Sequence, residues 1–169
     1  MEHATKKDAV PDAAPSTEDL EAKLDAFVER SLEGRSVVDL FGLDDAALNE
    51  CLHYAHTLYL DKNFEQAATV LRGVVALDPE QSYAHFLLGE IAFQRQDYET
   101  AFEALETAHA LDDTHADTMY RLGELYVRAS KPARAAELLE RCLSVWEDEE
   151  QEPPQRARAL LAHAERLDE

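Results

Sequence analysis

A repeat of 34 residues constrains this chain more than any other feature. Ser82 to His115 reads as one helical stretch, SYAHFLLGEIAFQRQ, and a second, DYETAFEALETAHALD. Shifted back by 34, Ala101 falls on Ala67, Leu105 on Leu71, Ala108 on Val74 and Leu111 on Leu77. Shifted forward, Leu88-Gly89 falls on Leu122-Gly123, Ala101 on Ala135, Leu105 on Leu139 and Ala108 on Cys142. The three registers agree without an insertion from about Leu48 to Glu149. A pair of helices cannot bury its apolar face alone, so such repeats must stack. Small residues sit where the two helices of a pair cross. Gly89 and Gly123 each cost about 1 kcal/mol in a helix interior relative to Ala, and close packing is the expected compensation. Ala55 takes that slot in the first repeat.

The pattern L-G-x-x-[AY], then A-x-x-x-L-x-x-[AC] and a closing L-D or L-D-P, resembles the tetratricopeptide repeat family. The resemblance implies an all-α fold: a right-handed superhelix of three helix-turn-helix repeats with flanking N- and C-terminal helices. The repeats are expected over about 48–81, 82–115 and 116–149, within 44–149.

Outside the repeats the chain divides by composition. Residues 1–15 are polar, contain Pro11 and Pro15 and show no period, which suits a disordered arm. Residues 16–34 form an amphipathic helix, with Ser16 or Thr17 as cap and Gly34 after its end. Its stripe of Leu20, Leu24, Phe27, Val28 and Leu32 must dock on the repeats or on a second copy of the chain. The acidic run Glu147 to Glu152 is expected as a solvated linker. Pro153-Pro154 then open a C-terminal capping helix over 153–168, with Ala157, Leu160, Leu161, Ala164 and Leu167 on its apolar face.

Charge narrows the partners. Sixteen basic and 36 acidic residues give a net charge of −20. Such a chain repels nucleic acid and anionic membranes at long range. No apolar run is long enough to span a bilayer, and the N-terminus lacks a secretory apolar stretch, so a cytoplasmic location is expected. Cys51 and Cys142 both fall on repeat core slots and are expected as small buried hydrophobes.

The first helix of each repeat carries more apolar surface than its core needs. In the middle repeat Ala84, Leu87, Leu88, Ile91 and Ala92 fill the core face, yet Tyr83, Phe86 and Phe93 remain. The same offsets give Leu52 and Tyr59 in the first repeat and Tyr120 and Val127 in the third. In tetratricopeptide folds this adjoining face lines the concave groove. It would present Leu52, Phe86 and Tyr120 in one row and Tyr59, Phe93 and Val127 in another, with His56, Glu90 and Glu124 between them. An exposed aromatic cluster implies either a peptide partner or a terminal helix folded over it.

A second resemblance makes the partner specific. The stretch LDDAALNECLHYAHTLYLDKNFEQA, preceded by a helix and a Gly-containing linker, is similar to the type III secretion chaperones of translocator proteins. The matching residues are Leu48, Leu52, Ala55, Tyr59, Lys62, Phe64, Glu65 and Ala67. HFLLGEIAFQRQDYETA matches the same family through Phe86, Leu88, Gly89, Phe93, Gln94, Tyr98 and Ala101. Leu52 stands where that family has an aromatic, and Asp61 where it has Gly. The resemblance implies a groove that holds an extended segment of a translocator or effector and keeps it soluble before export. It also implies a homodimer, with Leu20, Leu24, Phe27 and Val28 as the contact.

Two other functions fit less well. An adaptor with generic tetratricopeptide repeats is the main alternative. A clamp for C-terminal carboxylates is disfavoured, because its slots hold Leu52, His56, Leu87 and Asp117, with only Arg121 basic. An enzyme is disfavoured too. His53 and His56 stand one turn apart, but no third metal ligand and no phosphate-binding loop accompanies them. No cofactor, metal or catalytic residue is expected.

Overall fold

The computed structural model describes residues 45–148 and 155–168. These form seven α-helices, and no strand occurs among them. In chain order they are α1 (Asp45–Leu60), α2 (Phe64–Leu77), α3 (Ser82–Gln94), α4 (Tyr98–Leu111), α5 (Ala116–Arg128), α6 (Pro132–Asp148) and α7 (Gln155–Asp168). Each helix packs mainly on its neighbours in sequence, as a stacked helical array requires. The amphipathic stretch 16–34, with Leu20, Leu24, Phe27 and Val28, lies outside the described residues, as do the arm 1–15 and Pro153-Pro154.

The three hairpin turns obey the same period as the core. Lys62, Gln96 and Ser130 each have a positive φ, at 60°, 63° and 55°. The first turn, expected at Lys62-Asn63, has its left-handed position at Lys62. Asp97 begins α4 by accepting a hydrogen bond from the Thr100 N–H at 3.3 Å. His115 does the same for α5 through Nδ1, which accepts from the Thr118 N–H at 3.3 Å. Pro132 opens α6, where its missing N–H has no helical acceptor to lose.

The helix crossings show why small residues recur. A Cβ added at Gly89 would lie 2.6 Å from Leu105 Cγ, and one at Gly123 would lie 2.7 Å from Leu139 Cγ. Ala55, Ala67, Ala101 and Ala135 are fully buried, and so are Leu71, Leu105 and Leu139. Ala157 and Ala164 carry α7 onto the last cluster, against Met119, Tyr120 and Trp146. Leu167, expected on that apolar face, is 52 % exposed because it lies a full turn nearer the helix end than the last packed residue. Leu88 is half-buried and packs at the edge of the first cluster.

The two cysteines part company. Cys142 is buried, donates to the Ala116 carbonyl at 3.2 Å, and is pushed up to about 12 by burial. Cys51 is exposed, contrary to expectation. Its counterpart two repeats on, Met119, is buried against α6 and α7. No described residue covers Cys51 in the same way.

Candidate functional site

The first helices α1, α3 and α5 share one face, and polar side chains tie it together across the repeats. The Tyr59 hydroxyl on α1 donates to Glu90 Oε2 on α3 at 3.1 Å. Arg121 on α5 reaches the same carboxylate with two nitrogens: Nε to Oε1, and Nη2 to Oε2 at 2.9 Å. Its third nitrogen, Nη1, donates to Glu124 Oε2 at 2.7 Å. Glu90 is only 5 % exposed, so this fork-on-fork pair lies out of water. Burial alone would lower the Arg121 pKa, but the hydrogen bonds and charges of Glu90 and Glu124 outweigh it and hold the group above its ordinary value. Burial, followed by the charge of Glu90, pushes the Tyr59 hydroxyl up to about 12.

Aromatic rings flank this ladder on both sides. At one end the Tyr83 hydroxyl hydrogen-bonds to His56 Nδ1 at 3.1 Å. The His115 ring meets Phe86 edge to face, with centroids 4.7 Å apart. At the other end the Arg121 guanidinium sits 4.2 Å from the centre of the Phe93 ring. Arg128 lies over Tyr98 at 4.9 Å, and Arg156 from α7 lies over Tyr120 at 4.9 Å. Each of these cations covers a ring face that would otherwise meet water.

The ten residues expected on this face are all on α1, α3 or α5, but they are not equally open. His56, Tyr59, Tyr83, Phe86, Phe93, Glu124 and Val127 are half-buried. Leu52, Glu90 and Tyr120 are buried. Leu52 belongs to the first core cluster, and Tyr120 is covered by Trp146 and Arg156. Glu90 was expected to meet a ligand main chain. Its oxygens are instead taken by Tyr59 and Arg121. Leu87, considered as a clamp slot, is 1 % exposed and belongs to the core.

Sequence reasoning missed His115, Arg128 and Arg156, and noticed Arg121 without its role. One signal was available. Tyr59 to Glu90 and Glu90 to Arg121 are both steps of 31 residues, one repeat less one helical turn. Such a step places a side chain beside the preceding first helix. No group of three or more His, Cys, Asp or Glu that could hold a metal ion occurs among the described residues. No helix among the described residues is long and apolar enough to cross a membrane.

Paired helices with small residues at their crossings, stacked at a fixed period, make a helical repeat fold of the tetratricopeptide type. Residues 80–148 match the tetratricopeptide repeat family model. The sequence matches no curated protein. The fold is similar to that of SycD, the type III secretion translocator chaperone of Yersinia enterocolitica. That match has a TM-score of 0.65 at 18 % identity, over 73 % of this chain and 86 % of that one. SycD in complex with a peptide of the translocator YopD matches with a TM-score of 0.63 at 16 % identity, over 75 % and 98 %. The first tetratricopeptide domain of Spaghetti (RPAP3), bound to the HSP90 peptide SRMEEVD, matches with a TM-score of 0.63 at 15 % identity, over 73 % and 94 %. At these identities the likeness is one of fold.

Proposed function

We propose that the chain is a cytoplasmic chaperone of type III secretion. The shared face of α1, α3 and α5 holds an extended apolar segment of a translocator or effector and keeps it soluble before export. One observation carries this reading: Tyr59, Tyr83, Phe86 and Phe93 form a run of half-buried aromatics on helices whose cores are otherwise filled. Each square ångström of such surface is worth about 25 cal/mol to an apolar ligand. The polar groups between the rings are already paired, so they add little to affinity and mainly fix the shape of the face. The likeness to a translocator chaperone solved with a translocator peptide supports the same reading. The acidic exterior keeps such a complex dispersed.

Titration of the full chain with peptides tiled along a translocator-class secretion substrate tests the function. One apolar segment should bind, and the Tyr83→Ser, Phe86→Ser variant should lose at least about tenfold in affinity while keeping its helical circular dichroism. A folded variant that binds as tightly as the parent places the binding surface elsewhere.

A generic tetratricopeptide adaptor is the second reading, and the likeness to a domain holding an HSP90 peptide favours it. A clamp on a free carboxylate is a poor form of it here, because Arg121 spends three nitrogens on Glu90 and Glu124.

The chaperone further works as a homodimer, paired through Leu20, Leu24, Phe27 and Val28. Light scattering at micromolar concentration should give twice the chain mass. Leu24→Glu with Phe27→Glu should return it to one chain. A single-chain mass for the parent removes the dimer from the proposal.

A further inference from the structure

A second recess lies away from the shared face. Leu122, Leu125, Tyr126 and Ala129 project from α5 on the side opposite Tyr120, Glu124 and Val127, as 100° per residue dictates. There they meet α4 and α6 and leave two neighbouring hollows on either side of Glu106, whose Oε1 accepts a hydrogen bond from the Tyr126 hydroxyl at 3.2 Å. The floor is apolar: Phe102 packs edge to face on Tyr126, with centroids 5.3 Å apart, and Leu125 and Leu138 flank them. The recess follows α4 from Tyr98 to Ala110, about 18 Å at 1.5 Å per residue.

Its two edges carry opposite charge. Glu99, Glu103 and Glu106 line the α4 edge at one-turn spacing, and all are exposed. Lys131 and Arg134 stand beyond Tyr126 on the other edge, with the Lys131 ammonium 6.0 Å from the Tyr126 ring. Arg128 closes one end and is held by Glu124 at 3.6 Å. Among the described residues, Glu99, Glu103, Lys131 and Arg134 form no ion pair. The one polar atom buried in the wall of the recess without a partner is His109 Nδ1.

We propose that this recess docks an amphipathic helix of a partner protein, with an apolar ridge flanked by cations along one side and anions along the other. The ridge lies over Phe102 and Tyr126, the cations face Glu99 and Glu103, and the anions face Lys131 and Arg134. A helix suits the site better than an extended segment. It pairs its own main chain, whereas a strand would set N–H and C=O groups over Phe102, Leu125 and Leu138, where the Tyr126 hydroxyl is already bonded to Glu106. The chain's own stretch 16–34 is a poor occupant, since it holds six acidic residues (Glu18, Asp19, Glu21, Asp25, Glu29, Glu33) against two basic ones (Lys23, Arg30). A second copy is assigned to a different contact, through Leu20, Leu24, Phe27 and Val28, in the homodimer proposed above. The site is separate from the face proposed to hold cargo, so either can fail without the other.

A synthetic capped helix of about four turns serves as the probe, with a leucine ridge, lysines on one flank and glutamates on the other. Its binding to the full chain is followed by fluorescence anisotropy, beside a peptide with glutamates on both flanks. The two-sign peptide should bind, and Glu99→Lys with Glu103→Lys should weaken it about tenfold or more. Glu137→Lys with Glu140→Lys makes the same change in net charge on exposed α6 positions and should leave affinity within about twofold. Tyr83→Ser with Phe86→Ser should have no effect. Four outcomes overturn the proposal. They are absence of saturable binding up to about 1 mM, equal binding of both peptides, equal loss in both charge variants, and loss in the Tyr83, Phe86 variant. A dimer in sedimentation that Glu99→Lys with Glu103→Lys dissolves would assign the recess to a second copy and overturn it too.

Discussion

Arg121→Ala is expected to lower the unfolding free energy by about 3–5 kcal/mol, the usual cost of stranding one member of a buried ion pair. The stranded group is Glu90, 5 % exposed, which would keep only the Tyr59 hydroxyl as a donor. The effect comes from the charge left behind more than from the bonds removed. Replacing both partners separates the two. Arg121→Met with Glu90→Leu should recover most of the loss, because apolar side chains of similar volume need no pairing. Urea denaturation followed by circular dichroism measures both variants. A loss below about 1 kcal/mol for Arg121→Ala would mean that water reaches Glu90 when the guanidinium leaves.

Leu105→Ala should cost about 2–5 kcal/mol, as expected for removing a fully buried leucine. Leu105 is fully buried and stands at the crossing of α3 and α4, against Gly89. The two positions should not behave independently. Gly89→Ala in the parent gains about 1 kcal/mol of helix propensity. It also forces a Cβ within 2.6 Å of Leu105 Cγ, and overpacking of that kind costs about 1–3 kcal/mol. In the Leu105→Ala background the new methyl group no longer meets Leu105 Cγ and Cδ2, and only a 3.3 Å approach to the Ala101 carbonyl oxygen is left to offset the gain. The double variant should therefore be more stable than the sum of the singles implies. Additive losses would show that α3 and α4 move apart to admit the methyl group.

The repeat period made most of this fold legible. It marks the crossings at Gly89 and Gly123 and the turns at Lys62, Gln96 and Ser130, since each must recur for identical units to stack. The common face of α1, α3 and α5 was legible for the same reason. Exposure was harder to read. Offsets along one helix say which way Leu52, Glu90 and Tyr120 point, but not that a neighbouring helix has closed over them. Cys51 shows the converse: a core-like slot stays open where the array supplies no cover. The cations were missed because their partners lie across repeats. Arg156 meets Tyr120 only once α7 has packed against α6, and no periodicity of the third repeat extends that far.

A chain of stacked units ordinarily melts from its ends, since each unit leans only on its neighbours. The Tyr59–Glu90–Arg121 ladder works against that. Its three members come from three successive units, and the middle one is a carboxylate that cannot be left alone in the dark of the array. If the last unit frays, Glu90 loses its counter-ion; if the first frays, it loses its neutral donor. Opening at either terminus is thus taxed by a group in the centre, and the three units are drawn towards a single all-or-none transition. The surface they share then keeps its side chains in register for as long as the molecule is folded at all.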